Sequence, residues 1–199
     1  MSHTVDNSKR RFLTTAASVV VGGAGAAAVA VPFVFSMLPS AKARAAGAPV
    51  EVDISKLEVG QLMTIEWRGK PVWIFNRSLE SLQELPALNE QLVDPESDTS
   101  SQQPAYCKNE NRSIRDNIAV LVGICTHLGC SPTYRPDLAP ADLGPEWKGG
   151  FFCPCHGSRY DLSGRVFKNM PAPKNLVVPP YHFLGDNRIV VGEDPQGAA

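Results

Sequence analysis

Two short segments rich in cysteine and histidine constrain this chain more than any other feature. One reads C-T-H-L-G-C at residues 125–130, and the other reads C-P-C-H-G-S at residues 153–158. Each segment offers one thiolate and one imidazole at metal-ligand spacing, and each has one further cysteine. Thiolates hold iron–sulfur clusters, and two imidazoles in place of two thiolates on one iron give a cluster with unlike ends. The pattern predicts a two-iron cluster of this mixed type.

The mixed ligand set has a chemical consequence. Neutral imidazoles leave less negative charge on the cluster, so it is easier to reduce. Its potential lies at roughly −150 to +300 mV, against about −400 mV for plant-type ferredoxins with four cysteines. This range suits an acceptor of electrons from a quinol.

A structural zinc site is the alternative, because two cysteines and two histidines also form a common tetrahedral zinc set. Zinc fingers pair cysteine with cysteine and histidine with histidine, whereas each segment here pairs a cysteine with a histidine. Cys130 and Cys155 stand beside the ligand candidates, and a zinc site has no use for them. The spacing favours the iron–sulfur cluster, and a zinc-stabilised periplasmic module is the alternative outside redox chemistry.

With these two motifs, the chain resembles the Rieske iron–sulfur subunits of ubiquinol–cytochrome c reductases, the cytochrome bc complexes. The resemblance implies one Rieske 2Fe–2S cluster as the cofactor. It implies that four residues are the iron ligands: Cys125, His127, Cys153 and His156. It also implies a disulfide between Cys130 and Cys155 that ties the two cluster loops together.

The resemblance also implies the fold, which is mainly β. A Rieske-type antiparallel β-sandwich head at 51–199 carries an inserted cluster-binding subdomain at about 123–173, and one N-terminal transmembrane helix precedes the head. Alternating apolar residues and turn signals agree with such a sheet structure. The predicted strands are residues 62–67, 72–75, 118–122, 181–184 and 189–191.

Residues beside the ligand candidates take roles from the same resemblance. Ser158 and Tyr160 are expected to donate hydrogen bonds to cluster sulfur atoms, which stabilises the reduced state and raises the potential. Leu128 and Gly129 are expected to cover the cluster and meet a partner surface at the quinone site.

The segment M-P-A-P at 170–173 resembles the family's Gly-Pro-Ala-Pro loop, which closes another side of the cluster. Pro171 and Pro173 are present to stiffen the loop and to contact the quinone site. Met170 departs from the family's glycine, which puts the local backbone in question.

The N-terminal region predicts a membrane anchor. Residues 14–38 contain no charged side chain, and at about 1.5 Å per residue they are long enough to cross a hydrocarbon core of about 30 Å. Lys9, Arg10 and Arg11 precede this run and mark its cytoplasmic side. We therefore expect a transmembrane helix at 14–38.

The leader at residues 1–13 contains S-K-R-R-F-L, which resembles a twin-arginine export signal with Lys9 in place of the first arginine. Cleavage after a small-residue site at 41–45 is the alternative to a retained anchor. The charge-free run is longer than an ordinary signal core, so we favour retention. Residues 39–50, mostly alanine, glycine, serine and proline with two basic residues, are expected to form an exposed hinge linker of helix or coil.

The resemblance completes a functional hypothesis for a subunit of a proton-translocating oxidoreductase. Ubiquinol gives one electron to the cluster and a proton at His156, and the electron passes to a c-type cytochrome. The implied partners are the cytochrome b and c-type cytochrome subunits of a dimeric complex. The location is the bacterial inner membrane, with the head in the periplasm.

Two other Rieske proteins are alternatives. The small subunit of an arsenite oxidase differs in partner rather than in cluster, whereas a soluble oxygenase ferredoxin normally lacks the anchor and the second cysteine pair. A net charge of −1 over 199 residues gives no reason to expect nucleic acid as a partner.

The remaining signals concern packing. Leucines recur at helical spacing from Leu79 to Leu92, with Ser81 and Glu84 as a capping box, and predict a helix that packs on the sheet. Cys107 has no motif around it, and neither His3 nor His182 has a cysteine at ligand spacing, so no site role is assigned to them.

Overall fold

The N-terminal part of the chain is a long apolar helix. The computed structural model describes residues 6–195 and divides the chain into two compact units between residues 45 and 46. Helix α1 spans Asn7–Ser36, and the Asp6 side chain caps it by accepting hydrogen bonds from the backbone N–H groups of Ser8 and Lys9. The helix is long and apolar enough to cross a membrane. It starts before the charge-free run at 14–38 because Asp6 supplies the cap.

Pro32 lies inside α1. A second, short helix, α2, spans Ala41–Ala46 within the predicted linker. The linker composition is compatible with helix or coil, and the structure selects helix for these six residues.

Antiparallel strands form the second unit, from residue 46 onward. Its described residues hold nine strands: β1 (Val50–Asp53), β2 (Leu62–Trp67), β3 (Lys70–Asn76), β4 (Ile118–Val122), β5 (Thr133–Arg135), β6 (Gly150–Phe152), β7 (Arg159–Tyr160), β8 (Tyr181–Phe183) and β9 (Arg188–Val191). They make three sheets, in the orders β1-β9-β8, β2-β3-β4 and β5-β6-β7. Every pairing between these strands is antiparallel, which confirms the predicted mainly-β fold.

The third sheet, β5-β6-β7, is the part that positions the second motif. Residues 153–158 form the connection between β6 and β7, while residues 125–130 follow β4 of the second sheet. The strands at 62–67 and 118–122 have the predicted bounds, and the other predicted strands differ by one or two residues. β5, β6 and β7 are two or three residues long, too short to show an alternating pattern in the sequence.

A close packing contact fixes the start of the first loop. Trp73 of β3 stacks on Phe151 of β6 with ring centroids 4.7 Å apart, which joins the second sheet to the third. A Cβ atom at Gly123 would lie 2.4 Å from Cε2 of the Trp73 ring. Only glycine therefore lets the chain leave β4 against this ring and turn into the first motif.

The leucine-rich segment differs from its prediction. Helix α3 spans Leu79–Glu84 only, and a 3₁₀ helix at Pro86–Gln91 continues it, because Pro86 has no backbone N–H to donate to the carbonyl of Leu82. The prediction of a capping box at Ser81 and Glu84 is wrong. Ser78 is the N-cap, and its hydroxyl oxygen accepts a hydrogen bond from the backbone N–H of Ser81 at 3.1 Å. The predicted packing face is present in its later part, where three leucines are buried: Leu85, Leu88 and Leu92.

Candidate metal centre

The first loop is closed by backbone hydrogen bonds within the motif. The N–H of Cys125 donates to the carbonyl of Cys130 at 2.7 Å, and the N–H of Gly129 donates to the carbonyl of Cys125 at 3.1 Å. Gly129 has φ of +86°, a conformation that favours glycine. The closure brings the two cysteines together and leaves Leu128 at the tip with 71% of its surface exposed.

The second loop has the same closure. The N–H of Cys153 donates to the carbonyl of Ser158 at 2.8 Å, and the N–H of Gly157 donates to the carbonyl of Cys153 at 2.9 Å. Gly157 has φ of +78°, as Gly129 has in the first loop. Each motif therefore folds on itself and places a cysteine at the base of a loop.

A disulfide joins the two loops. Cys130 and Cys155 are bonded, with their Cα atoms 6.7 Å apart. The sulfur atoms of Cys130, Cys153 and Cys155 lie within 4.8 Å of one another. Two of these sulfurs are bonded to each other and cannot act as thiolates, so Cys153 is the ligand candidate within this group.

The free thiols and the imidazoles form two pairs with different exposure. Cys125 and Cys153 are free thiols with only 3% and 1% of their surface exposed. Burial, together with the adjacent Cys125 thiol, raises the pKa of Cys153. The rings of His127 and His156 meet edge to face with centroids 4.7 Å apart, and His156 is exposed.

These pairs fit a metal cluster with two cysteine and two histidine ligands. Nδ1 of His127 is buried and has no hydrogen-bond partner. A buried polar atom without a partner is unfavourable, and a metal bond removes the deficit. The two buried thiols likewise gain a role as thiolates once a cation lies beside them. The disulfide joins the two loops and so holds the two pairs together.

Comparison with known proteins agrees with this geometry. The family described as "Rieske [2Fe-2S] domain" matches residues 50–182, more than half of the chain. The ubiquinol-cytochrome c reductase iron-sulfur subunit of Allochromatium vinosum is 61% identical over 188 residues, covering 94% of this chain and 90% of that protein. The subunit of the same description from Blastochloris viridis is 42% identical and covers 96% of each chain.

The chain belongs to this family of Rieske iron–sulfur subunits. It therefore carries one Rieske 2Fe–2S cluster, as the two motifs predict. A family described as "Ubiquitinol-cytochrome C reductase Fe-S subunit TAT signal" matches residues 1–40, which include the S-K-R-R-F-L segment. Among solved structures, a chain of a hyperthermophilic respiratory complex III has a TM-score of 0.48 at 25% identity and covers 88% of this chain and 98% of its own. The family assignment depends on the sequence relatives.

Tyr160 contacts the thiol side of the Rieske site. Its hydroxyl oxygen lies 3.2 Å from Sγ of Cys125 and accepts a hydrogen bond from the backbone N–H of Thr126 at 3.2 Å. Burial raises the pKa of Tyr160, so the hydroxyl keeps its proton and can donate it to a thiolate. The structure thus brings Tyr160, which the sequence analysis expects to donate to cluster sulfur, beside one of the two candidate thiol ligands.

Thr126 is a site residue that the sequence analysis missed. Besides its contact with Tyr160, its hydroxyl donates to the carbonyl of Lys174 at 2.6 Å. Thr126 therefore links the first loop to the chain that follows the proline loop. Its position between Cys125 and His127 was the one available signal, and the long-range partner could not be read from the sequence.

Ser158 is fully buried and contacts the proline loop. Its hydroxyl oxygen accepts a hydrogen bond from the backbone N–H of Ala172 at 3.1 Å. Pro171 and Pro173 on either side of Ala172 are exposed. The hydroxyl proton of Ser158 is not used in this contact and is free for an acceptor in the site.

Met170 does not require the backbone of a glycine. The residue of this loop with positive φ is Asn169, at +59°, and asparagine tolerates that region. The Met170 side chain is half-buried and packs on the main core cluster. The departure from the family's glycine is thus accommodated by packing.

The residues left without a site role lie elsewhere. Cys107 is fully buried, and its thiol donates to the hydroxyl of Tyr181 in β8 at 3.8 Å. Burial raises the pKa of Cys107 to about 11. Nδ1 of His182 lies 3.4 Å from the carbonyl oxygen of Glu193, and His3 falls outside the described residues.

Proposed function

We propose that this chain is the electron carrier of a ubiquinol–cytochrome c reductase, which takes one electron from ubiquinol with release of a proton and passes it to the c-type cytochrome subunit. One observation carries the proposal. The candidate thiol ligands are buried, whereas His156 and Leu128 are exposed at the tip. A site that must shield sulfur yet admit a quinol needs this arrangement.

The cluster is held by four side chains from the two loops: Cys125, His127, Cys153 and His156. When bound, it supplies a one-electron acceptor whose mixed ligation raises its potential into the range of a quinol oxidant. Burial of the two thiols excludes water from the sulfur side, and the disulfide fixes the two loops relative to each other. The unpartnered Nδ1 of His127 is the atom that binds iron on this residue.

His156 is the residue that meets the quinol. A metal-bound imidazole keeps its second ring nitrogen free, so the ring can accept a hydrogen bond and then a proton from the quinol hydroxyl. Leu128 and Gly129 on the first loop, with Pro171 and Pro173, supply the exposed apolar surface around it. These residues are the contacts for the quinone site and for the partner subunits.

The N-terminal unit determines the location. Helix α1 anchors the chain in the bacterial inner membrane, with Lys9, Arg10 and Arg11 on the cytoplasmic side. The head then lies in the periplasm, after export through the twin-arginine route, and residues 39–50 act as the hinge. The partners are cytochrome b and a c-type cytochrome in a dimeric complex.

Purification of the tagged full chain from detergent-solubilised membranes tests this function. We expect cytochrome b and a c-type cytochrome to co-purify and to reduce added cytochrome c with ubiquinol as donor. His156→Ala should abolish this activity, whereas His182→Ala, a change outside the loops, should leave it intact. Co-purification with an arsenite-oxidising enzyme, or without b and c cytochromes, would overturn the proposal.

A further inference from the structure

Three arginines are buried around one turn that follows the second motif in the chain. Arg77, Arg112 and Arg165 have at most 1% of their surface exposed, and all three contact or belong to the turn at residues 161–165. We call this group the arginine hub. Burying a guanidinium group is costly unless its charge is compensated. The hub therefore needs opposite charge or hydrogen-bond acceptors close by.

Among the described residues one fully buried carboxylate lies in the hub, that of Asp161, and Arg165 pairs with it. Nε of Arg165 lies 2.7 Å from Oδ2 of Asp161, and both side chains are fully buried. Oδ1 of Asp161 accepts hydrogen bonds from the backbone N–H groups of Ser163 and Arg165 at 2.9 and 2.8 Å. Asp161 is thus committed to its own turn and to one arginine.

Arg77 and Arg112 bind only neutral groups. Arg77 donates to the hydroxyls of Ser163 and Ser113, both at 2.8 Å. Arg112 donates to the carbonyls of Ser163 at 3.1 Å and Leu176 at 2.7 Å, among others. The Nε atoms of both arginines are buried without a partner. Two positive charges in the hub are therefore not balanced by its carboxylate.

Both groups stay charged at neutral pH. Burial lowers the pKa of Arg77 and that of Arg112 to about 10 each, and the Asp161 charge opposes this effect at both. Asp116 adds to this opposition at Arg77 and Asp94 at Arg112, but these two carboxylates are not fully buried and solvent screens them more. A pKa of about 10 leaves the guanidinium protonated throughout the physiological range. The excess positive charge is a permanent feature of the interior.

The hub is connected to the thiol side of the site by short stretches of chain. Its turn follows Tyr160, whose hydroxyl lies 3.2 Å from Sγ of Cys125. Leu176, an acceptor of Arg112, stands two residues after Lys174, whose carbonyl binds Thr126 of the first loop. Charges in a protein interior are screened far less than charges in water.

We propose that the arginine hub raises the reduction potential of the Rieske centre, with Arg77 and Arg112 as positioning residues that act through charge. The proposal rests on the ligand set given under the proposed function. Two ferric ions, two sulfides and two thiolates with neutral imidazoles sum to zero charge, and one electron from the quinol makes the reduced form negative. The excess positive charge stabilises that form, and Asp161 partly offsets the effect.

Opposite substitutions in the full-length protein test the proposal. Asp161→Asn removes the buried negative charge while keeping an oxygen acceptor, and it should raise the potential. Arg112→Gln should lower it, and Arg112→Lys, which keeps the charge but loses hydrogen bonds, should stay near the wild-type value. Each charge change should alter the equilibrium constant for reduction several-fold, where tenfold corresponds to about 59 mV for one electron.

Redox titration followed by electron paramagnetic resonance (EPR) gives the readout. Damage to packing alone would shift Asp161→Asn and Arg112→Gln in the same direction, so opposite shifts identify charge. If Arg112→Gln fails to fold, Arg77→Gln, which loses fewer hydrogen bonds, replaces it with the same expected sign. An unchanged or lowered potential in Asp161→Asn would overturn the inference alone. A wild-type protein without a Rieske signal would instead refute the proposed function.

Discussion

The thiol side and the imidazole side of this site come from the same two loops, yet they have opposite surroundings. Cys125 and Cys153 are buried, with Tyr160 beside Cys125, whereas His156 and Leu128 are exposed. Under the proposed function this difference corresponds to two roles. The buried side would set how strongly the centre attracts an electron, and the exposed side would exchange the proton and meet the partners.

The spacing of the motifs produces this difference. In each loop a cysteine comes first, immediately after the chain leaves the core, and the backbone closes on that cysteine through Gly129 or Gly157. The histidine follows two or three residues later, where the loop is farther from the core. Two copies of this pattern, joined by the disulfide, give one buried pair and one outer pair.

The largest effect is expected from replacing a cysteine on the buried side. Cys125→Ala and Cys153→Ala should each abolish the cluster, because each iron needs two protein ligands. Iron content and visible absorption of the purified protein measure this loss. Cys107→Ala is the matched control, since Cys107 is also a buried free cysteine, and it should keep the cluster. Retention of a normal cluster in Cys153→Ala would refute the ligand assignment.

Removing the link between the loops should have the next largest effect. The double variant Cys130→Ser with Cys155→Ser loses a cross-link between residues 25 positions apart, which should lower the free energy of unfolding by about 2–4 kcal/mol. Loss of the cluster absorption should then occur at a lower urea concentration than in the wild type. Mass spectrometry of unreduced wild-type protein should find the linked peptides, and two alkylated thiols there would contradict the disulfide.

The thiol side should also respond to loss of hydrogen bonds without loss of ligands. Tyr160→Phe and Ser158→Ala should each lower the potential, because a net bond of about 1–1.5 kcal/mol to sulfur corresponds to roughly 40–65 mV for one electron. Protein-film voltammetry measures the shift. Tyr134→Phe is the control, since the hydroxyl of Tyr134 donates to the carbonyl of Gly60. Equal potentials in Tyr160→Phe and wild type would mean that this hydroxyl does not tune the centre.

The smallest change in the isolated protein is expected at the exposed side. Leu128→Ala should leave the potential and the stability within error of the wild type, because 71% of this side chain is exposed. Ubiquinol oxidation by the complex should nevertheless slow, since the proposed function assigns the tip to the quinone site. Leu138→Ala removes a side chain of the same exposure outside both loops and should not slow turnover. Equal turnover of the two variants would show that the tip has no specific role in ubiquinol oxidation.

The family and the type of cluster could be predicted from the sequence because the chemistry is local. The ligand types, their spacing and the glycines that close each loop all fall within two segments of six residues. The strands at 62–67 and 118–122 are also predictable, because the first places Met63, Ile65 and Trp67 on one face by alternation and the second is an unbroken run of five apolar residues.

What the sequence does not reveal depends on contacts between distant segments. Strands β5, β6 and β7 are too short for a pattern, and Ser78 rather than Ser81 caps α3 because the cap is set by backbone conformation. Nothing in the sequence around Arg77 shows that it meets Ser163, which lies 86 positions away. Buried charge of this kind becomes visible only in the folded chain.

Pulsed EPR of the reduced wild-type protein, labelled with ¹⁵N in histidine alone, tests the two-sided account most directly. The account predicts that two histidine nitrogens couple strongly to the cluster spin, one each from His127 and His156, and that the labelled spectrum changes accordingly. A cluster without strong histidine coupling, or a protein whose purified form holds zinc and gives no EPR signal, would contradict the division between a thiol side and an imidazole side.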